Sequence, residues 1–248
     1  MRIVVAGGTG MVGRLVVSAL GRRGHDAKVL SRSHGVDLSS GAGLDVALEG
    51  VDAVIDVTNA RTTSPDEARR LFGGLTTNLL AAERRAGVKH HVLLSIVGVD
   101  RLTGSPHYEG KRAQEALVKA GGVPWTIQRA TQFHEFAPQT LSWTRKGGTA
   151  MIPPLLLQPV AASDVADALA GLGAGAPQGA LDLAGPGPED LVDMVRRYIV
   201  ARGESVTLIP SWRSGLFGVE SAGEWFLPGP GATLAPTTFQ DWLAQQIA

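Results

Sequence analysis

The sequence contains no cysteine, which excludes disulfides, thiolate nucleophiles and cysteine-based zinc sites together. Histidine is sparse, with six residues in 248. There is one adjacent pair, His90-His91, and no H-E-x-x-H spacing, so no metal centre is expected. An excess of either charge is also missing, since Lys+Arg and Asp+Glu both number 23. Without a basic excess or a polybasic cluster, neither nucleic acid nor a membrane is expected as a partner. No apolar run approaches the ~20 residues of a membrane-spanning helix. The chain opens directly on a strand, MRIVVAGG, so no signal peptide is expected. A soluble, cytoplasmic protein is the expectation.

Glycine, by contrast, is plentiful at 32 residues, a sign of tight turns and close backbone approaches rather than disorder. The remaining composition, 44% hydrophobic and 19% charged, is enough for a substantial core. Strand and helix signals alternate over the first 130 residues. Apolar runs at Arg2–Ala6, Ala27–Ser31, Val51–Thr58, His91–Ser95 and Trp125–Arg129 read as strands. Helical spacing marks Arg14–Arg23, Pro65–Ala86 and Pro106–Ala120, the first two ending at Gly24 and Gly87. A further strand, cut to a few residues around Val36, would stand third in order. This alternation predicts an α/β fold, a Rossmann-type doubly wound parallel sheet.

After residue 130 the rhythm breaks. Short strands and loops are expected over Arg145–Gln158, helices over Ala162–Leu172 and Glu189–Arg202, and a strand at Val206–Pro210. Residues 131–248 read as the last core elements plus a small substrate cap built from C-terminal segments. Together with the core, 1–130, they form one domain, with no internal repeat.

Gly7-Gly8-Thr9-Gly10-Met11-Val12-Gly13 follows the first strand and opens the first helix. Gly7, Gly10 and Gly13 give G-x-x-G-x-x-G, and Gly8, Gly10 and Gly13 also satisfy G-x-G-x-x-G. In that context the backbone turns sharply and approaches a pyrophosphate, which meets the N–H groups and positive end of the helix. A dinucleotide lacking the 2′-phosphate usually meets an acid after the second strand. Here Ser31-Arg32-Ser33 offers a guanidinium and two hydroxyls, so NADP(H) is the expected cofactor. Asp37 either accepts from the adenine amino group or caps a turn.

In these stretches, and in GVDAVIDVTNA, GVKHHVLLSIVGVD, YEGKRAQEALV, WTIQRATQFHEF and QPVAASDVADAL, the sequence resembles the atypical, NmrA-like branch of the short-chain dehydrogenase/reductase superfamily. The resemblance spans most of the chain. It implies that Val57-Thr58-Asn59 lines the ribose and pyrophosphate. It also implies that Ser95 hydrogen-bonds the substrate oxygen, Lys111 holds the nicotinamide ribose, and Thr131 with Gln132 and Phe133 borders the nicotinamide.

The family's catalytic tyrosine stands four residues before the lysine, where this chain has His107, and Tyr108 is one residue closer. On a helix His107 and Lys111 are i, i+4 neighbours and Tyr108 and Lys111 are i, i+3 neighbours, so both rings can face the ammonium. The proton donor is therefore Tyr108, His107 or neither, with Tyr108 the first choice. Ser105 is expected to cap this helix, and Gly110 to ease an adjusted helix start. His134 either donates to a substrate oxygen or satisfies a backbone carbonyl. Phe133 and the C-terminal tryptophans line a substrate cleft or form ordinary core. The expected activity is NADPH-dependent reduction of a carbonyl, quinone or activated double bond of a small molecule, by a monomer or small homo-oligomer. Two rival readings are an NADP(H)-sensing regulator without turnover and an epimerase on the same fold.

Overall fold

The computed structural model describes residues 1–60, 62–215 and 217–246. Its elements, in chain order, begin with β1 (Arg2–Ala6), α1 (Met11–Arg22), β2 (Asp26–Leu30), α2 (Leu44–Ala47), β3 (Ala53–Asp56), α3 (Pro65–Ala86), β4 (His90–Ile96), α4 (Pro106–Ala120) and β5 (Trp125–Ala130). They continue with α5 (Phe136–Thr144), β6 (Arg145–Lys146), β7 (Thr149–Ile152), β8 (Leu156–Leu157), α6 (Ala162–Gly173), β9 (Gly179–Ala184), β10 (Glu189–Asp190), α7 (Leu191–Ala201), β11 (Thr207–Pro210), β12 (Thr233–Leu234) and α8 (Phe239–Gln246).

A seven-stranded sheet runs in the order β12-β9-β5-β4-β3-β1-β2. The registers Arg2↔Asp26, Ile3↔Ala53 and Ala53↔His90 are all parallel. Sequence order reverses at β1, whose neighbours are β2 and β3, and such a switch point opens a crevice beyond the strand C-termini. The central strands β1 and β3 are short, nearly continuous apolar runs because both faces are covered. Val4, Ala6 and Val54 pack with Leu79 and Ala82 of α3. On the opposite face, Gly173 of α6 lies so close to Ile55 that a Cβ there would fall 2.7 Å from its Cδ1. The doubly wound expectation holds.

By contact, the chain forms two compact units, Met1–Arg129 with Val165–Leu181, and Ala130–Asp164 with Asp182–Ala248. In the second unit β7 pairs in parallel with β11 and antiparallel with β6. Its buried aromatics are Phe226, Phe239 and Trp242, with Phe239 and Trp242 stacked at 5.4 Å. These three therefore serve as core.

One expectation about elements is corrected, and one element was not anticipated. The abbreviated third strand does not form. Val36 is instead a buried apolar plug in the cluster around Leu44, Leu48 and Leu79, and only an isolated bridge, Asp37↔Ala42, lies beside it. The expected fourth strand is thus β3. Helix α5 gave no sequence signal because Pro138 sits in its first turn, a position that tolerates proline but reads as a breaker.

Candidate cofactor and proton-transfer site

The glycine loop is built by backbone contact. Gly7 has φ +80 and a Cβ there would fall 2.9 Å from the Val57 carbonyl, at the end of β3. A Cβ on Gly8 would strike the Val29 side chain at 2.8 Å, and one on Gly13 would drive into the Gly7 carbonyl oxygen. Gly10 differs, since its Cβ would approach only the Gly7 oxygen, at 3.3 Å. The Gly10 amide donates to the Gly7 carbonyl at 3.0 Å, and the first intrahelical bond of α1 runs from the Arg14 amide to Gly10. The N–H groups of Met11, Val12 and Gly13 precede any intrahelical acceptor, as in every helical first turn. That turn of α1 carries no acid, whereas α3 has Asp66 and Glu67 and α7 has Asp193. Thr9, Gly10 and Met11 are exposed. A crest of bare backbone at a positive helix end, closed by three glycines that admit no Cβ, fits a dinucleotide pyrophosphate.

After β2 the chain makes a single 3-10 turn, Arg32–His34, and leaves it through Gly35 at φ 76. Arg32 is exposed. Beside it Ser31 Oγ lies 2.8 Å from Ser33 Oγ and 2.6 Å from His34 Nδ1. Asp37 takes a turn role, its Oδ1 accepting from the Ser39 amide at 2.9 Å and hydroxyl at 2.6 Å. These bonds with Ser39 hold its carboxyl below the usual range.

Helix α4 has the expected bounds, but the Ser105 side chain makes no capping hydrogen bond, correcting that expectation. Gly110 also has a different task. A Cβ on it would drive into the Phe72 ring of α3, so this glycine lets the two helices close together and does not shift the helix start. Tyr108 is buried at 5% exposure. His107 is half-buried, its ring 6.0 Å from Phe72. Burial, then the Lys111 charge, pushes the His107 imidazole down to about 4, so it is neutral at pH 7.

Lys111 is 4% exposed and its three ammonium protons have three protein acceptors. These are the Thr58 carbonyl at 3.1 Å, the Leu94 carbonyl at 2.9 Å and Gln114 Oε1 at 2.8 Å. The Gln114 amide reaches on to Thr76 Oγ1 at 3.0 Å and to Asp56 Oδ2 at 3.3 Å. Asp56 Oδ1 in turn accepts from the Thr58 amide at 2.8 Å. Burial pushes the Lys111 ammonium down to about 8, against the pull of Asp56 and Glu115. The lysine thus ties the ends of β3 and β4 to α4.

Ser95, expected to donate to a substrate oxygen, gives its proton to Glu115 Oε1 at 2.7 Å and is buried. The acceptor lies on α4. Burial works against the Glu115 carboxylate, but bonds from Arg129, Ser95 and Lys119 outweigh it and hold the group below the usual range. Arg129 reaches it through Nε at 2.8 Å and Nη2 at 2.6 Å. Val57 is buried and Asn59 exposed.

In the second unit, Thr131 donates its hydroxyl to the Gln158 carbonyl at 2.6 Å. Gln132 and Phe133 are half-buried, with Phe133 bridged to Val160. His134 Nε2 lies 3.0 Å from the Thr237 carbonyl, and burial lowers its pKa. It therefore satisfies a backbone carbonyl, as the simpler expectation held. His90 bonds to Thr126 and Gly175, and His91 to Glu83. Among the described residues no cluster could hold a metal ion, and no helix is long and apolar enough to cross a membrane.

The arrangement defines a dinucleotide-binding Rossmann protein. The chain belongs to the NAD(P)H-binding family, whose model matches residues 7–172, in keeping with the resemblance to the NmrA-like branch. It is 36% identical over 154 residues to the (4-alkanoyl-5-oxo-2,5-dihydrofuran-3-yl)methyl phosphate reductase of Streptomyces griseus, covering 57% of this chain and 50% of that one. It is 30% identical over 147 residues to a photosystem II assembly factor of Synechocystis, covering 54% and 45%. The chain thus spans about half the length of the curated relatives it matches. In fold it is similar to the NADPH-dependent quinone oxidoreductase of Escherichia coli, with TM-score 0.70 and 18% identity over the full length of both chains. It is also similar to the triphenylmethane reductase of Citrobacter, with TM-score 0.69 and 19% identity over 86% and 79%.

Proposed function

We propose that this chain is an NADPH-dependent oxidoreductase acting on a small, electron-poor acceptor, such as a quinone or an activated double bond, in preference to an isolated carbonyl. The observation that carries the reading is the glycine loop, where Gly7 and Gly13 leave no room for a side chain while the helix end stays bare. The backbone amides of that loop bind the pyrophosphate and Arg32 reads the 2′-phosphate. Val57, Thr58 and Asn59 border the ribose. When bound, the dihydronicotinamide supplies hydride.

The preference among acceptors follows from where protons are held. Reducing an isolated ketone develops a localised alkoxide, which needs a nearby acid. Ser95 has given its proton to Glu115, the Lys111 protons are shared among three acceptors, and His107 is neutral. A conjugated acceptor spreads the incoming charge and can be protonated by water. Tyr108 stays the first choice for any proton donated by the protein, and Lys111 acts by ordering the strand ends beneath the ribose. The names of the Streptomyces, Escherichia and Citrobacter proteins, each a reductase or oxidoreductase, support the same class.

The test is NADPH consumption with a quinone, an α,β-unsaturated lactone and a saturated ketone. Turnover of the first two with little of the third is expected, and Tyr108→Phe should lower it without changing NADPH affinity. A second reading, an NADP(H)-binding regulator without turnover, draws on the assembly-factor relative and on the same committed protons. Tight NADPH binding with no oxidation by any acceptor would favour it.

A further inference from the structure

The turn after β2 contains one group that neither the glycine loop nor Arg32 accounts for, the imidazole of His34. Its Nδ1 lies 2.6 Å from Ser31 Oγ and 3.4 Å from Ser33 Oγ, while the two hydroxyl oxygens are 2.8 Å apart. His34, Arg32 and Ser33 are exposed and Ser31 half-buried, and all four lie within one 3-10 turn and its cap. We infer that His34 is a positioning residue for recognition of a phosphate monoester by Ser31, Ser33 and Arg32, and that it acts by taking up a proton as the phosphate binds. This rests on the reading of Arg32 as the contact for the cofactor's 2′-phosphate.

The argument is a count of protons. Each hydroxyl has one to give, and a neutral imidazole accepts at one nitrogen and donates at the other. With a lone pair on Nδ1, the Ser31 proton is drawn to the imidazole and is lost to an incoming anion. With a proton on Nδ1, His34 donates to Ser31 Oγ, one hydroxyl proton closes the Ser31–Ser33 bond, and the other is released outward. The imidazolium guarantees that second arrangement and adds a positive charge beside Arg32. The charged groups of this turn are Arg32 and Asp37, which interact with each other. A phosphate dianion bound at the hydroxyls adds negative charge beside the imidazole, which favours a charged ring.

Binding that takes up a proton strengthens as pH falls through the range where histidine titrates. The phosphate monoester's own second ionisation, near a pKa of about 6, works the opposite way. Dividing wild-type affinity by that of His34→Asn at each pH cancels the phosphate's contribution. Asparagine keeps a hydrogen-bonding atom near the Nδ1 position but carries no charge.

The experiment is calorimetric titration of NADP+ and NAD+ into wild type, His34→Asn and Arg32→Ala at about pH 6 and about pH 8, spanning the histidine range. Wild type should bind NADP+ about five-fold better than His34→Asn at the lower pH, a charge-assisted against a neutral hydrogen bond. The two should be nearly equal at the higher pH, and NAD+ affinity should be the same in both proteins throughout. A quotient that does not change with pH, while Arg32→Ala weakens NADP+, overturns the role of His34 and leaves Arg32 in place. If Arg32→Ala leaves NADP+ affinity intact, the 2′-phosphate reading fails and this inference falls with it.

Discussion

The glycine loop after β1 and the first turns of α4 are both marked by motifs, but they are made of different material. At the loop the groups proposed to bind are backbone amides, and the requirement on the sequence is an absence of side chains. Gly7, Gly8 and Gly13 each face an atom that forbids a Cβ, so the spacing of glycines shapes the loop proposed to hold the cofactor. On α4 the working groups are side-chain protons, and their availability depends on partners far away in sequence. Lys111 is spoken for by Thr58, Leu94 and Gln114, and Ser95 by Glu115. A motif made of backbone can be read locally. A motif made of side chains only says which groups are present, and the fold decides what they are bonded to.

The largest expected effect lies in the loop. Gly13→Val should weaken NADPH binding more than about 100-fold, equivalent to roughly 3 kcal/mol, while Gly10→Ala, whose Cβ would press only on the Gly7 oxygen at 3.3 Å, should cost only a few-fold. Fluorescence titration of both variants would read this. Equal losses would mean that the loop is not organised by the Gly7–Gly13 contact.

On α4 the expected losses are of stability. Lys111→Met strands two buried carbonyls and Gln114 Oε1 and should cost about 3 kcal/mol in denaturant unfolding, with or without cofactor. Unchanged stability with lost NADPH affinity would return the lysine to a direct ribose contact.

His107 predicts an acid sensitivity of similar or smaller size. Its folded-state pKa, about 4, lies below the unfolded value, so the unfolded chain binds more protons between the two. Stability is complete above about pH 6.5 and falls as pH drops toward 4, by up to about 3 kcal/mol. His107→Gln should flatten that part of a stability–pH profile, and an unchanged slope would place the titration elsewhere. The smallest effect is expected from Ser95→Ala, about 1 kcal/mol of stability with turnover nearly unchanged. A collapse of turnover would make the serine catalytic despite its bond to Glu115.

Much of the fold was legible because the elements of the first unit obey local rules. Both Pro65–Ala86 and Pro106–Ala120 start at proline, the first closes on Gly87 at φ 69, and both appear with the bounds their patterns suggest. Val36 misled because an isolated buried valine among glycines reads the same whether it extends a sheet or plugs a core. In the candidate site, the loop glycines and Arg32 stand out in the sequence, and His34 does not. Its signal was the spacing Ser31-x-x-His34, which becomes a contact only once the chain turns as a 3-10 helix. Ser95 and Glu115 are twenty positions apart, and no local pattern announces that bond.

The most direct test of a cofactor site built from the Gly7–Gly13 backbone and tuned by the turn at Arg32 is parallel titration of the wild-type chain with NADPH and NADH. Both should bind, NADPH at least about tenfold more tightly, the worth of one charge-assisted phosphate contact. Equal affinities would remove the 2′-phosphate from Arg32, and no binding of either would contradict the account at its base.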